Sequence, residues 1–125
     1  MGDYVLTADD IVQGRRFPDV VAVGAYPVDV HSGTDSRLVT EHLRERAYHI
    51  PLRTLVVRGL DNLLVAGRCV SSTSRGLAAV RVSPIAMAMG EAAGRVAGLA
   101  ATGRVPVRRV DVADVQAGLD LPDFT

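Results

Sequence analysis

The chain contains no lysine: all 14 of its basic residues are arginine. A Schiff-base lysine and a phosphate-loop lysine are therefore excluded from it. Cysteine is nearly as scarce. Cys69 stands alone among 125 residues, which leaves no disulfide framework and no cysteine-based zinc site. Neither sign of charge is in excess. The formal net charge is zero, so there is no electrostatic footprint for nucleic acid or an acidic membrane. The N-terminus, MGDYVLTADD, lacks the basic-then-apolar pattern of a signal peptide. The most apolar window, residues 85–101, carries Glu91, Arg95 and three glycines, and is too short and too charged to read as a membrane span. These absences point to a soluble cytoplasmic protein. A last absence concerns glycine. No two of the 12 glycines are separated by one residue, so the Gly-x-Gly-x-x-Gly turn that holds a dinucleotide pyrophosphate is not encoded.

What is present is globular. Hydrophobic residues make up 48% and charged residues 22% of a chain of about one small domain, long enough to bury a core unaided. Thr7-Ala8-Asp9-Asp10 predicts a helix start, a hydroxyl cap followed by carboxylates, with Gly14 as its stop. Val20 to Val23 predicts a buried strand, broken by Tyr26-Pro27, and Val28 to His31 alternates like a half-buried strand. Residues 31–36 read as a turn, and Arg37 to Ala47 as an exposed connection. Ile50-Pro51 begins an extended segment, with a strand expected over Leu52 to Val57, a turn over Arg58 to Asn62 and a fully apolar strand over Leu63 to Ala66.

The strongest helix opens at Ser83-Pro84, with serine as the expected cap, and runs to about Thr102 before Gly103. Its few charges predict burial on most sides, and Glu91 and Arg95 sit in the favourable i, i+4 order. Gly90, Gly94 and Gly98 recur every fourth residue, a costly row that calls for the close approach of a backbone or a ligand. Val110 to Leu119 suggests a short helix and Leu121 to Thr125 a tail.

The stretch from Tyr48 to Ala100 resembles the C-terminal part of FAD-dependent oxidoreductases with the two-dinucleotide-binding-fold, glutathione-reductase-type architecture. The resemblance is carried by Ile50, Pro51, Arg53 and Leu55, then Asn62 to Cys69 (NLLVAGRC), then Arg81, Val82, Pro84, Met87, Gly90, Ala92, Ala93 and Gly94. The stretch from Tyr4 to His31 resembles the preceding part of the substrate domain, including its Tyr-Pro-x-Asp-x-His. Many relatives carry His-Glu where this chain has Ser74-Arg75, so no role carries over to those two positions.

The resemblance implies an α/β protein that is an α+β fragment: the C-terminal strand and helix of a flavin-binding Rossmann-like domain, plus part of a substrate domain. Residues 1–54 would belong to the substrate domain, 55–104 to the FAD-binding domain and 105–125 to a C-terminal helix and tail. It implies that Ala66, Gly67, Arg68, Arg81, Val82, Pro84 and Met87 lie on the isoalloxazine and ribityl side of FAD. Hydride would pass between substrate and flavin in the complete enzyme. Without the ADP-binding half, this chain alone is expected to hold FAD weakly and not to turn over. It needs a dinucleotide-binding segment or a second chain as partner. The other reading is a cofactor-free, self-associating module.

Several side chains keep two readings. Arg81 suits flavin or a substrate carboxylate, or an ion pair with Glu91 or Asp61. Asp29 and His31 suit an acid/base pair, part of a metal site, or structural hydrogen bonding. Cys69 reads as a small buried residue rather than a reactive thiol. His42 and His49 read as surface residues.

Overall fold

The structure, a computed structural model, describes residues 1–31 and 38–123. Among the described residues, four α-helices and two small antiparallel sheets form a mixed α/β architecture. Helix α1 (Ala8–Val12) starts as the sequence predicts. The Thr7 hydroxyl accepts from the Asp10 N–H, and the Asp10 carboxylate accepts from the Thr7 N–H, a reciprocal capping box. Gly14 follows the helix at φ +63°.

Strand β1 (Val20–Gly24) pairs antiparallel with β4 (Tyr48–Pro51), with a bulge between Val20 and Ala22. The Tyr48 ring lies over Gly24, where any Cβ would overlap it. Its buried hydroxyl reaches the Tyr26 carbonyl at 3.2 Å and the Ala79 carbonyl at 3.5 Å, and burial pushes the phenol pKa up. Strand β2 (Val28–His31) pairs with β3 (Leu38–Glu41). Thus part of the expected exposed connection, Arg37 to Ala47, is a strand, and its end at Ala47 is buried. Of the charges that suggested a connection, only Glu41 lies in β3, where it meets Arg75 at the surface. The turn expected over 31–36 lies, apart from residue 31, outside the described residues.

The extended segment ends where a strand was expected to begin. After Pro51, Leu52–Thr54 forms a 3₁₀ turn, and the Thr54 hydroxyl donates back to the Pro51 carbonyl at 2.7 Å. The expected strand over Leu63 to Ala66 is likewise reduced to one bridge, Val56 to Leu64, with Val65 N–H donating to Leu55 C=O at 2.9 Å. Among the described residues no strand pairs with its other edge, and Leu63 is 45% exposed.

Helix α2 (Ser74–Val80) was not expected. Thr73 caps it by accepting from Gly76 N–H at 3.1 Å. The long helix α3 (Ser83–Gly103) spans 21 residues, with Pro84 in its first turn as predicted. Its cap, however, is Val82 rather than Ser83, and Val82 has no side-chain oxygen for the free N–H groups of the first turn. Its C-terminus closes on Arg104, which takes the left-handed conformation (φ 52°) usually left to glycine.

Burial corrects the expectation for α3. Only Ile85, Met89, Ala92, Val96 and Ala100 are fully covered. Their spacing of three and four residues is one narrow stripe, not a helix buried on most sides. Gly90, Gly94 and Gly98 lie on the outer face, where an added Cβ would meet nothing within 4 Å. The Glu91–Arg95 pair does not form either. Arg95 instead reaches helix α4 (Val112–Gln116), donating from Nε to the Val115 carbonyl at 3.0 Å and from Nη2 to the Asp114 carbonyl at 2.9 Å.

One hydrophobic core runs from Leu6 through Tyr48, Ile50, Leu55 and Val80 to Met89, Val96 and Val115. The chain ends are tied together by Arg108, which pairs with Asp3 at 2.8 Å and with Asp61 at 3.5 Å. Among the described residues no helix is long and apolar enough to cross a membrane.

Candidate functional site

The residues named from the sequence gather at one place, the first turns of α3. Ala66 is extended (φ −149°, ψ 168°) and leads into a 3₁₀ turn over Gly67–Cys69. Val70 N–H closes that turn on the Gly67 carbonyl at 3.1 Å. The turn requires Gly67 at φ +63°, a conformation that costs residues with a Cβ roughly 1–2 kcal/mol. Space is not the constraint, because the nearest atom to an added Cβ is the Ala86 Cβ on α3, at 3.6 Å. Backbone conformation therefore explains this glycine without a ligand. Ala66 and Gly67 are both half-buried beside α3.

Arg81 is the C-cap of α2 and Val82 the N-cap of α3, so one short link carries both. Pro84 is exposed in the first turn of α3, and Met87, 74% exposed, stands one turn further along. A cavity of about 300 Å³ opens between the 3₁₀ turn and α2. Among the described residues it is lined by Arg68, Leu77 and Arg81. Met87 does not line it. Leu77 was missed because its helix was missed. The available signal was Thr73 as a cap three residues before Gly76, with apolar Leu77, Ala79 and Val80 following.

Arg81 pairs with neither of its expected acids. Asp61 is taken by Arg108, and Glu91 lies at a different cavity, formed by β1 and the C-terminal segment near Leu119. Arg68 and Arg81 make no side-chain hydrogen bond or ion pair among the described residues. Arg15, Arg53, Arg75 and Arg108, in contrast, are each matched to a carboxylate.

The remaining candidates divide. Cys69 is exposed, correcting the expectation of a buried residue. It lines a second cavity, of about 350 Å³, with Val65, Val70 and Ser71. The 3₁₀ turn lifts it off the core, which a continued strand would not have done. Asp29 accepts from Thr40 Oγ1 at 3.4 Å and from the Tyr26 hydroxyl at 3.5 Å, as structural hydrogen bonding predicts. Of its expected neighbour His31 only the strand pairing is described. Among the described residues no group of three metal-ligating side chains forms.

His42 is exposed as expected, but His49 is not a free surface residue. It accepts from Phe17 N–H at Nδ1 (3.1 Å). Burial pushes its imidazole pKa down and Arg16 adds to the fall, against the opposing contact of Nδ1 with the Phe17 carbonyl at 3.3 Å.

No curated protein and no solved structure matches the chain. The model of one family, described as FAD dependent oxidoreductase, matches residues 1–119, nearly the whole length. The chain belongs to the FAD dependent oxidoreductase family.

Proposed function

We propose that this chain is the C-terminal portion of a glutathione-reductase-type flavoprotein. Residues 1–54 would come from its substrate domain and 55–104 from its Rossmann-like FAD-binding domain, with 105–125 following as a C-terminal helix and tail. In this reading Ala66, Gly67, Arg68, Arg81, Val82, Pro84 and Met87 hold the ring and ribityl side of FAD in a cytoplasmic enzyme. The observation that carries it is convergence. Two separate stretches of the family pattern meet where the Gly67 turn lies against Ala86 in the first turns of α3.

The residues present fit such a group. Ala66 and Gly67 are half-buried, and Gly67 puts no side chain between its backbone and an approaching ligand. The start of α3 has no side-chain oxygen on its free N–H groups and carries the positive end of the helix dipole. When bound, FAD supplies hydride chemistry. The chain's part is to present partial positive charge to an anionic ring edge and cationic guanidinium groups at the rim.

The rest of the cofactor needs a tight glycine turn that this sequence lacks. A dinucleotide-binding segment is therefore the partner we assign. The half-paired edge of Leu63 to Ala66 and the open glycine face of α3 are the surfaces it would cover. A melting scan against rising FAD tests this. The 125-residue chain alone should show little shift, and the chain completed by such a segment a large one. No shift in the folded, completed protein would overturn the reading.

The same open face also favours a second reading, a self-associating module without cofactor. Gly90, Gly94 and Gly98 leave the outer side of α3 bare, Met87 is exposed on the same helix, and Leu63 is exposed outside it. Light scattering after size exclusion decides it. A well-behaved monomer counts against the module.

A further inference from the structure

We propose that the cavity between the Gly67–Cys69 turn and α2 binds a small organic carboxylate. Its carboxyl group would be held by the guanidinium forks of Arg68 and Arg81, and its hydrocarbon part would rest on Leu77.

The two arginines come from different elements, one in a 3₁₀ turn and one at the end of α2. They nevertheless line the same cavity of about 300 Å³, the lower end of the range that holds small molecules. No carboxylate among the described residues lines it, and neither guanidinium has a partner there. An anion in that cavity would find a cationic side chain on each of two separate elements. Arginine's planar fork matches the two oxygens of a carboxylate. Leu77 stands one helical turn before Arg81 on the same face of α2, so the third wall is apolar. Inorganic phosphate would meet that wall with nothing apolar of its own. A carboxylate on a short hydrocarbon satisfies all three sides.

That the carboxylate is the substrate's, held beside a flavin, rests on the function proposed above and would make the substrate an organic acid. Carboxylate binding itself does not depend on it. The test uses the 125-residue chain without flavin, labelled for NMR and titrated with butyrate. Parallel titrations use chloride and inorganic phosphate at matched ionic strength. Butyrate should give saturable shifts at the Nε–H groups of Arg68 and Arg81 and at the Leu77 methyls. Arg58 and Arg109, both exposed, should respond no more than they do to chloride. Arg68→Gln and Arg81→Gln should each weaken binding by about tenfold with the amide spectrum otherwise kept. Equal responses at all four arginines, tighter binding of phosphate than of butyrate, or no effect of either variant would overturn the proposal. A completed protein that fails to take up FAD would leave the butyrate shifts in place, so failure of the flavin reading is distinguishable from failure of this one.

Discussion

Arg95 and Gly118 share one volume: a Cβ on Gly118 would fall within the guanidinium of Arg95. The arginine lies flat there because it caps the carbonyls of Asp114 and Val115 at the end of α4. That contact fastens the C-terminal helix to α3. Gly118→Ala should expel the guanidinium and lower stability by about 1–2 kcal/mol. Denaturant titration of Gly118→Ala, Arg95→Ala and the double variant checks it. The double variant should cost little more than either single one, because both remove the same contact.

Asp10 should set part of the acid limit of stability. Burial alone pushes its carboxyl pKa up, but hydrogen bonds from Arg15, Thr7 and Tyr4 outweigh burial and leave it below the usual carboxylate value. A folded pKa below the unfolded one stabilises the fold above the unfolded value of about 3.9, and that contribution is lost as pH falls through the folded pKa. Asp10→Asn should therefore flatten the fall in stability below about pH 4. Thr7→Ala, which removes the other half of the capping box, should cost about 1 kcal/mol at neutral pH. Melts across pH 2–7 of wild type and both variants read this out, pH values here being roughly the range where carboxylates titrate.

At Gly67 the cost of substitution should follow backbone conformation. Asn tolerates φ near +60° better than Ala, and β-branched Val tolerates it least. Unfolding free energies should fall in the order Gly, Asn, Ala, Val. A Cβ here would sit at ordinary contact distance, 3.6 Å, from the Ala86 Cβ, so a clash at Cβ does not set this order. Equal losses for Asn and Val would contradict it.

The glycines of α3 should behave as vacant positions in this chain. Gly90, Gly94 and Gly98 contact nothing, so the overpacking expected for a buried helix does not apply. Gly94→Ala should raise stability by up to about 1 kcal/mol, the helix-propensity gain. In a complete flavoprotein the same change should weaken assembly. A loss of stability in the chain alone would show that the face is occupied.

What the sequence made legible was local. Thr7 and Asp10 announced α1, Pro84 and Gly103 bracketed α3, and the Val20 to Val23 run located β1, because each signal acts within a few residues. What it hid depended on distant partners. Leu63 to Ala66 is apolar enough for a strand, yet a strand needs neighbours on its edges, and among the described residues only Leu55 to Val57 comes alongside. Arg95 chose the carbonyls of α4 over Glu91, a choice made by chain folding rather than by helical spacing. The site followed the same division. The pattern picked out Gly67, Arg68 and Arg81, while Leu77 lies on a short helix that contains Gly76 and is announced only by the Thr73 cap, and its place at the cavity depends on the fold.

The central claim is that this chain supplies the ring side of a flavin site. Its most direct test is the visible spectrum of the chain co-purified with a Gly-x-Gly-x-x-Gly dinucleotide-binding segment, recorded after gel filtration. The account predicts a folded complex that retains flavin in a ratio near one per chain, roughly as a single buried site requires. A folded complex of the two parts that elutes colourless would contradict it.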